Sequence, residues 1–183
     1  LCSMSCPMGI NVGDLTHDIR QEELPAGSLG YKIGDYAANH FAGIKSSLRP
    51  VLYLANVAHS MLGSGMMTSV AKGLHSAGMP LWTTAMPKPF RLHKIEQKEE
   101  PLKVVYFPSC INQTMGTAKN SPDTTPLVEK TVQLLQKAGY EVIFPEKMDS
   151  LCCGTIWESK GMMDIADRKS AELETALYKA SEQ

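Results

Sequence analysis

The sequence predicts an α/β protein: a helical N-terminal portion followed by a β–α–β unit with a small parallel sheet. Three observations lead there. Apolar residues recur at helical spacing through most of the first half of the chain. Later, two short apolar runs, "KVVYF" (103–107) and "YEVIF" (140–144), are each closed by a proline and flank one amphipathic segment. Between the halves, "MPKPFRLHKIEQKEEP" (86–101) is rich in proline and charge and reads as a linker or an extended surface arm. A boundary near residue 100 divides the chain into 1–100 and 101–183.

In chain order, residues 13–23 form the first helix, because Leu15 and Ile19 stand four apart with charges between them. Residues 31–47 form the second, with Tyr36, Ala37, His40, Phe41 and Ile44 roughly in phase. Pro50 opens a third, since the first turn of a helix needs no proline N–H. Leu52, Leu54, Ala55, Ala58, Met61 and Leu62 continue it, Gly63 and Gly65 break it, and 66–76 is a short fourth. The apolar stretch 51–70 is expected to be a buried helical hairpin. It is interrupted by Asn56, His59, Ser60 and Gly63, too polar for a span of about 20 apolar residues.

The second half opens with strand 103–107, bounded by Pro101 and Pro108. Thr125 caps the next helix, with Pro126 at its first position. Leu127, Val128, Thr131, Val132, Leu134 and Leu135 supply its apolar face, and Gly139 ends it. Strand 140–144 follows. The last helix runs over about 161–179, with Ile165, Ala166, Leu173, Ala176 and Leu177 inward. The eleven methionines, Met61, Met66 and Met162 among them, are expected to fill core gaps. Trp157 and Trp82 are expected as packing anchors.

Composition narrows the function. With 183 residues, a net charge of −1 and a hydrophobic share of 43%, the chain can build an ordinary core. There is no basic block, so nothing calls for nucleic acid, and no signal peptide or transmembrane segment is visible. Five cysteines sit in two tight groups plus a single. Clustered cysteines without a secretory signal read as thiolate ligands in a reducing, cytoplasmic compartment.

Cys110 lies just past one strand, and Cys152 and Cys153 lie past the other. If the strands are parallel, both carboxyl ends lie on one edge, where α/β sheets bind ligands. The three thiols would then converge. Gly154 directly after the pair permits a sharp turn and removes bulk beside the ligands. A lone cysteine often packs as a small hydrophobe. An adjacent Cys-Cys-Gly is poorly explained by packing or by an ordinary disulfide, and points to a ligand role. Zinc is the competing metal, but zinc sites usually use Cys-x-x-Cys pairs, and this chain has none.

The chain begins "LCSMSCPMGINVGD". Cys2, Cys6 and Pro7 match the end of the bacterial ferredoxin run Cys-x-x-Cys-x-x-Cys-x-x-x-Cys-Pro. The two remaining cysteines would precede residue 1, so the chain is expected to be a piece of a longer protein.

"LCSMSCPMGINVGDL", "VVYFPSCINQTMG" and "AGYEVIFPEKMDSLCCGTIWESKGM" together resemble the C-terminal iron–sulfur region of the FAD-linked D-lactate dehydrogenases. The resemblance covers nearly the whole chain and is thinnest over 28–100. It implies a ferredoxin-like helical segment followed by the first half of a CCG domain, similar to that of heterodisulfide reductase. It makes Cys2, Cys6, Cys110, Cys152 and Cys153 ligands of 4Fe-4S clusters, with no catalytic residue in this region. The Cys-x-x-Cys pair that completes such a domain would follow Gln183, so the piece by itself is expected to hold no complete cluster and to have no dehydrogenase activity. The implied partners are an FAD-binding region of the same chain and a respiratory electron acceptor, with a peripheral position at the inner membrane face as one location. The iron–sulfur proteins of glycolate oxidase and of glycerol-3-phosphate dehydrogenase carry the same pairing of segments. A zinc or thiol binding module is the alternative of a different class.

Overall fold

The computed structural model describes Pro7 and residues 11–75, 81–92 and 99–182. The elements are α1 (Val12–Glu23), α2 (Leu29–Asn39), α3 (Phe41–His75), β1 (Pro87–Pro89), β2 (Leu102–Val105), β3 (Met115–Ala118), α4 (Leu127–Lys137), β4 (Tyr140–Ile143), α5 (Thr155–Glu158) and α6 (Met163–Ser181). Helices with two small sheets make this an α/β protein, as the sequence predicts. The described residues fall into two compact units, one drawn from Leu1–Ala42 and Glu146–Gln183, the other from Gly43–Pro145.

In the Gly43–Pro145 unit, β2 and β4 pair in parallel, from Leu102 opposite Tyr140 to Val105 opposite Ile143. The Tyr106 N–H extends the pairing by donating to Ile143 O at 2.8 Å. The crossover helix α4 turns Val128 and Val132 inward, each 1% exposed, because residues four apart share a helix face. Leu127 and Leu134, expected on that face, are instead exposed. The helix also starts later than the sequence suggests. Pro126 is its N-cap with extended backbone, and the Thr125 N–H is taken by the Asp123 carboxylate at 2.9 Å. Gly139 follows its end in the left-handed region, at φ 84°.

A second sheet was not legible. β1 pairs antiparallel with β3, Pro87 opposite Ala118 and Pro89 opposite Met115, with an irregularity between. Part of the expected linker is therefore a strand. Its prolines have no N–H to give, which confines such a strand to an edge. The Phe90 N–H anchors its end, donating to Thr114 O at 2.8 Å.

Helix α3 corrects three expectations. Pro50 lies inside it rather than opening it, and the carbonyl one turn earlier loses its usual donor there. The predicted 31–47 helix is divided at His40, whose N–H closes α2 on Tyr36 O. The 51–70 stretch is no buried hairpin: the helix bends at Gly63, where φ is 73° and ψ is 169°, and Tyr53, Leu54, Met61 and Met66 are exposed. Met61 and Met66 thus fill no core gap. No helix among the described residues is long and apolar enough to cross a membrane.

In the other unit, α1 and α2 are N-capped by Asn11 and Ser28, whose side-chain oxygens accept from the Gly13 and Tyr31 N–H groups. Leu15 and Ile19 remain half exposed. The C-terminal turn of α1 is held instead by the 159–161 turn. A Cβ at Gly161 would lie 2.5 Å from Gln21 N, and Arg20 Nη1 donates to Ser159 O at 2.6 Å. Helix α2 docks through Trp157, whose Nε1 donates to Gly34 O at 3.0 Å, and through the Asp35–Arg168 ion pair at 2.6 Å. The core is Ala38, Cys152, Trp157, Met162, Ile165 and Ala166, flanked by Leu24, Tyr31 and Phe41.

Candidate functional site

The Cys152–Cys153 pair lies in the loop between β4 and α5. Cys152 enters the core at 2% exposure, while Cys153 is exposed. The Cys153 Sγ–H donates to Thr155 Oγ1 at 3.4 Å. Gly154 then takes φ 85° and caps the four-residue α5. A Cβ at this glycine would stand 2.5 Å from Ala166 O and 3.1 Å from Ala166 C and Cα. The loop backbone therefore rests directly on the first turns of α6. Both reasons for a glycine hold at once: the left-handed dihedral and the absence of room.

The residues before the pair are fixed by the same helix. Lys169, buried on the inward face of α6, donates through Nζ to Ser150 O at 3.3 Å and pairs with the Glu172 carboxylate. Ser150 N–H in turn closes a turn on Lys147 O at 2.9 Å. Beside the pair, Trp157 is 5% exposed and packs edge-on against Phe41, 5.6 Å between ring centres. It is the packing anchor that the sequence suggests. At the α2–α6 seam, the Tyr31 hydroxyl donates to the Asp164 carboxylate. That bond, with a smaller contribution from desolvation and then from the negative charges of Asp164 and Asp35, pushes the Tyr31 phenol up to about 12, against the opposing charge of Arg168.

Cys110 belongs to the Gly43–Pro145 unit and is half-buried. It sits in a turn that follows β2, and the turn's backbone is closed on itself. Gln113 N–H donates to Ser109 O at 3.0 Å, and Thr114 Oγ1 donates to Cys110 O at 3.0 Å. Helix α3 clamps this turn. Lys45, 2% exposed, donates through Nζ to Gln113 Oε1 at 2.6 Å, and Gln113 Nε2 donates to Pro108 O at 2.6 Å. Arg49 reaches Gln113 O at 3.2 Å and Phe90 O at 2.9 Å. Lys45, Arg49, Gln113 and Lys169 carry no signal in the sequence, where a lysine or arginine on a helix reads as a solvated one.

The predicted parallel pairing of β2 and β4 is present. Cys110 and the Cys152–Cys153 pair belong to different units. Cys2 and Cys6 lie outside the described residues. A four-iron cluster takes thiolate ligands, typically four. The donor type fits at Cys110, Cys152 and Cys153, which are the three described cysteines. Among the described residues no group of three or more His, Cys, Asp or Glu side chains is arranged to hold a metal ion. Comparison of the chain with protein-family models, with curated proteins and with solved structures returns no match.

Proposed function

We propose that this chain is the iron–sulfur electron-transfer part of an FAD-dependent D-lactate, or related 2-hydroxy acid, dehydrogenase. One observation carries the reading: the Cys152–Cys153–Gly154 loop. Its glycine is required twice over, its first thiol is buried and its second is presented at the surface. The loop thus fixes the backbone at two consecutive thiols, Cys152 set in the core and Cys153 at the surface, and this fixed Cys-Cys-Gly backbone supports a ligand role. Cys110, on a turn fixed by Lys45, Arg49 and Gln113, is the third proposed ligand of a CCG domain. Cys2 and Cys6 are the proposed ligands of a ferredoxin-like segment.

Bound iron–sulfur clusters supply one-electron transfer. The residues of this chain would hold the sulfur ligands rigid, and Trp157 would keep water from the Cys152 side. An FAD-binding region and a respiratory acceptor are the proposed partners, in the cytoplasm or at the inner membrane face.

The test uses the longer protein that contains this chain, expressed anaerobically. Iron and acid-labile sulfide should be present, and Cys152→Ser with Cys153→Ser should stop electron transfer to an added acceptor. Flavin reduction by D-lactate should persist in the same variant. Undiminished transfer, or zinc in place of iron after anaerobic reconstitution, would overturn the reading.

A further inference from the structure

The Gly43–Pro145 unit carries a groove of about 350 Å³ between α3 and the β1–β3 ribbon. That volume is within the range of small-molecule sites. Tyr53, Val57 and Pro89 give the groove apolar lining, and Lys88 and Lys119 are the two cationic residues that line it. Among the described residues no aspartate or glutamate lines it. Lys88 comes from β1, and Lys119 directly follows β3, its antiparallel partner. The ribbon thus places two lysines that are far apart in sequence along the same groove.

The groove is pinned at three points. Asn56 Nδ2 donates to Pro87 O at 3.3 Å and to Leu52 O at 2.9 Å, tying the helix to β1. Lys119 Nζ donates to Ser60 Oγ at 2.6 Å, tying the other strand to the same helix. Arg49 Nε holds Phe90 O at 2.9 Å just beyond β1. A groove held before its ligand arrives loses less freedom on binding.

We propose that this groove binds a small organic phosphate monoester with an aromatic or apolar body. A phosphate monoester carries close to two negative charges at neutral pH, matching two lysines, whereas a carboxylate carries one. Ser60 Oγ holds the Lys119 ammonium in place at the groove, and the exposed ring of Tyr53 provides a flat wall for the body of the ligand. The site is independent of the five cysteines and of the electron-transfer reading.

Titration calorimetry with phenyl phosphate tests it, with benzoate and inorganic phosphate as the two half-ligands. Phenyl phosphate should bind at least about tenfold more tightly than either, with affinity falling as salt rises. Lys88→Gln, at an exposed position that leaves the fold untouched, should weaken it by about tenfold, and Lys119→Gln likewise. Lys119→Arg should retain most of the affinity. Tyr53→Ala should weaken phenyl phosphate but leave inorganic phosphate unchanged. Absence of binding by phenyl phosphate, or equal binding by all three probes, would overturn the proposal, as would wild-type affinity in Lys88→Gln.

Discussion

Gly154→Ala is the substitution that most directly questions the loop. The residue sits at φ 85°, and an alanine Cβ would lie 2.5 Å from Ala166 O and 3.1 Å from two further backbone atoms of α6. Two costs combine. Holding an L-residue in the left-handed region costs about 1–2 kcal/mol. An unstrained contact needs roughly 3.5 Å, so the loop and α6 must part by about 1 Å, and neither neighbour is a flexible side chain. Overpacking of that kind costs about 1–3 kcal/mol. The sum is about 2–5 kcal/mol, and for a chain of this size each kcal/mol shifts Tm by roughly 2–4 °C. The expected drop is therefore about 10 °C. Gly27→Ala separates the two terms: Gly27 has φ 99° but nothing within 4 Å of a Cβ, so it should lose only the dihedral part, about 1–2 kcal/mol. Thermal unfolding of both variants followed by circular dichroism decides the matter. Equal melting temperatures for the two would refute the close packing of the Cys-Cys-Gly loop on α6.

Three further outcomes follow from the same contacts. The Tyr31 phenol, raised to about 12 in the fold against an unfolded value near 10, favours the neutral form; its contribution to stability is present below pH 10 and is lost as pH rises toward 12. Ultraviolet titration of tyrosinate should show one late-ionising tyrosine that Tyr31→Phe removes, and superimposable curves would contradict the Asp164 bond. In the metal-free chain, an aromatic disulfide reagent should modify exposed Cys153 quickly and Cys152 only on unfolding, as read by peptide mass mapping; comparable rates would contradict the loop geometry. Gln113→Ala should destabilise by about 1–3 kcal/mol, because it removes one charge-assisted bond from the buried Lys45 ammonium and the Gln113 Nε2 donor from Pro108 O. In a double-mutant cycle with Lys45→Met, denaturant unfolding should give a coupling of about 1.5–3 kcal/mol, and additivity would show that the two side chains do not act together.

The strands and helices with strong local signals were legible. "KVVYF" and "YEVIF" carry β-branched and aromatic residues and are each closed by a proline, and each yields a strand, β2 and β4, in parallel as expected. Gly63 and Gly139 mark real interruptions, since glycine at positive φ is a local property. β1 and β3 were not legible. "PKP" and "MGTA" have neither the length nor the alternation of a strand, and only their mutual pairing makes them one. Leu15, Leu54 and Leu134 lie on the apolar faces that periodicity predicts for α1, α3 and α4 yet are exposed, because periodicity reports which residues share a face, not whether a neighbour covers it. For the candidate site, the local part was legible: Gly154 as a tight turn and Trp157 as an anchor beside the pair. The long-range clamps were not, because Lys45 with Gln113 and Lys169 with Ser150 are tertiary contacts.

The core around Cys152 joins segments from opposite ends of the sequence. Ala38, Leu24, Tyr31 and Phe41 come from the N-terminal helices, and Cys152, Trp157, Met162, Ile165 and Ala166 come from the loop, α5 and α6. The Trp157 indole N–H has its acceptor, Gly34 O, in the N-terminal part as well. The cysteine pair is therefore held by residues that follow the Cys-x-x-x-Cys-Pro run, and a chain beginning at Gly43 should lose that support even though the loop itself is intact. Without α2, one face of Trp157 meets water and its indole N–H loses its acceptor. In a Trp82→Phe background, where Trp157 is the one remaining tryptophan of two, removal of residues 1–42 should shift the emission to the red. The thiol of Cys152, now uncovered on the Ala38 side, should react at a rate approaching that of Cys153. Unchanged emission together with a still-protected Cys152 would show that α5 and α6 alone build the loop, and that the N-terminal helices contribute nothing to the presentation of the pair.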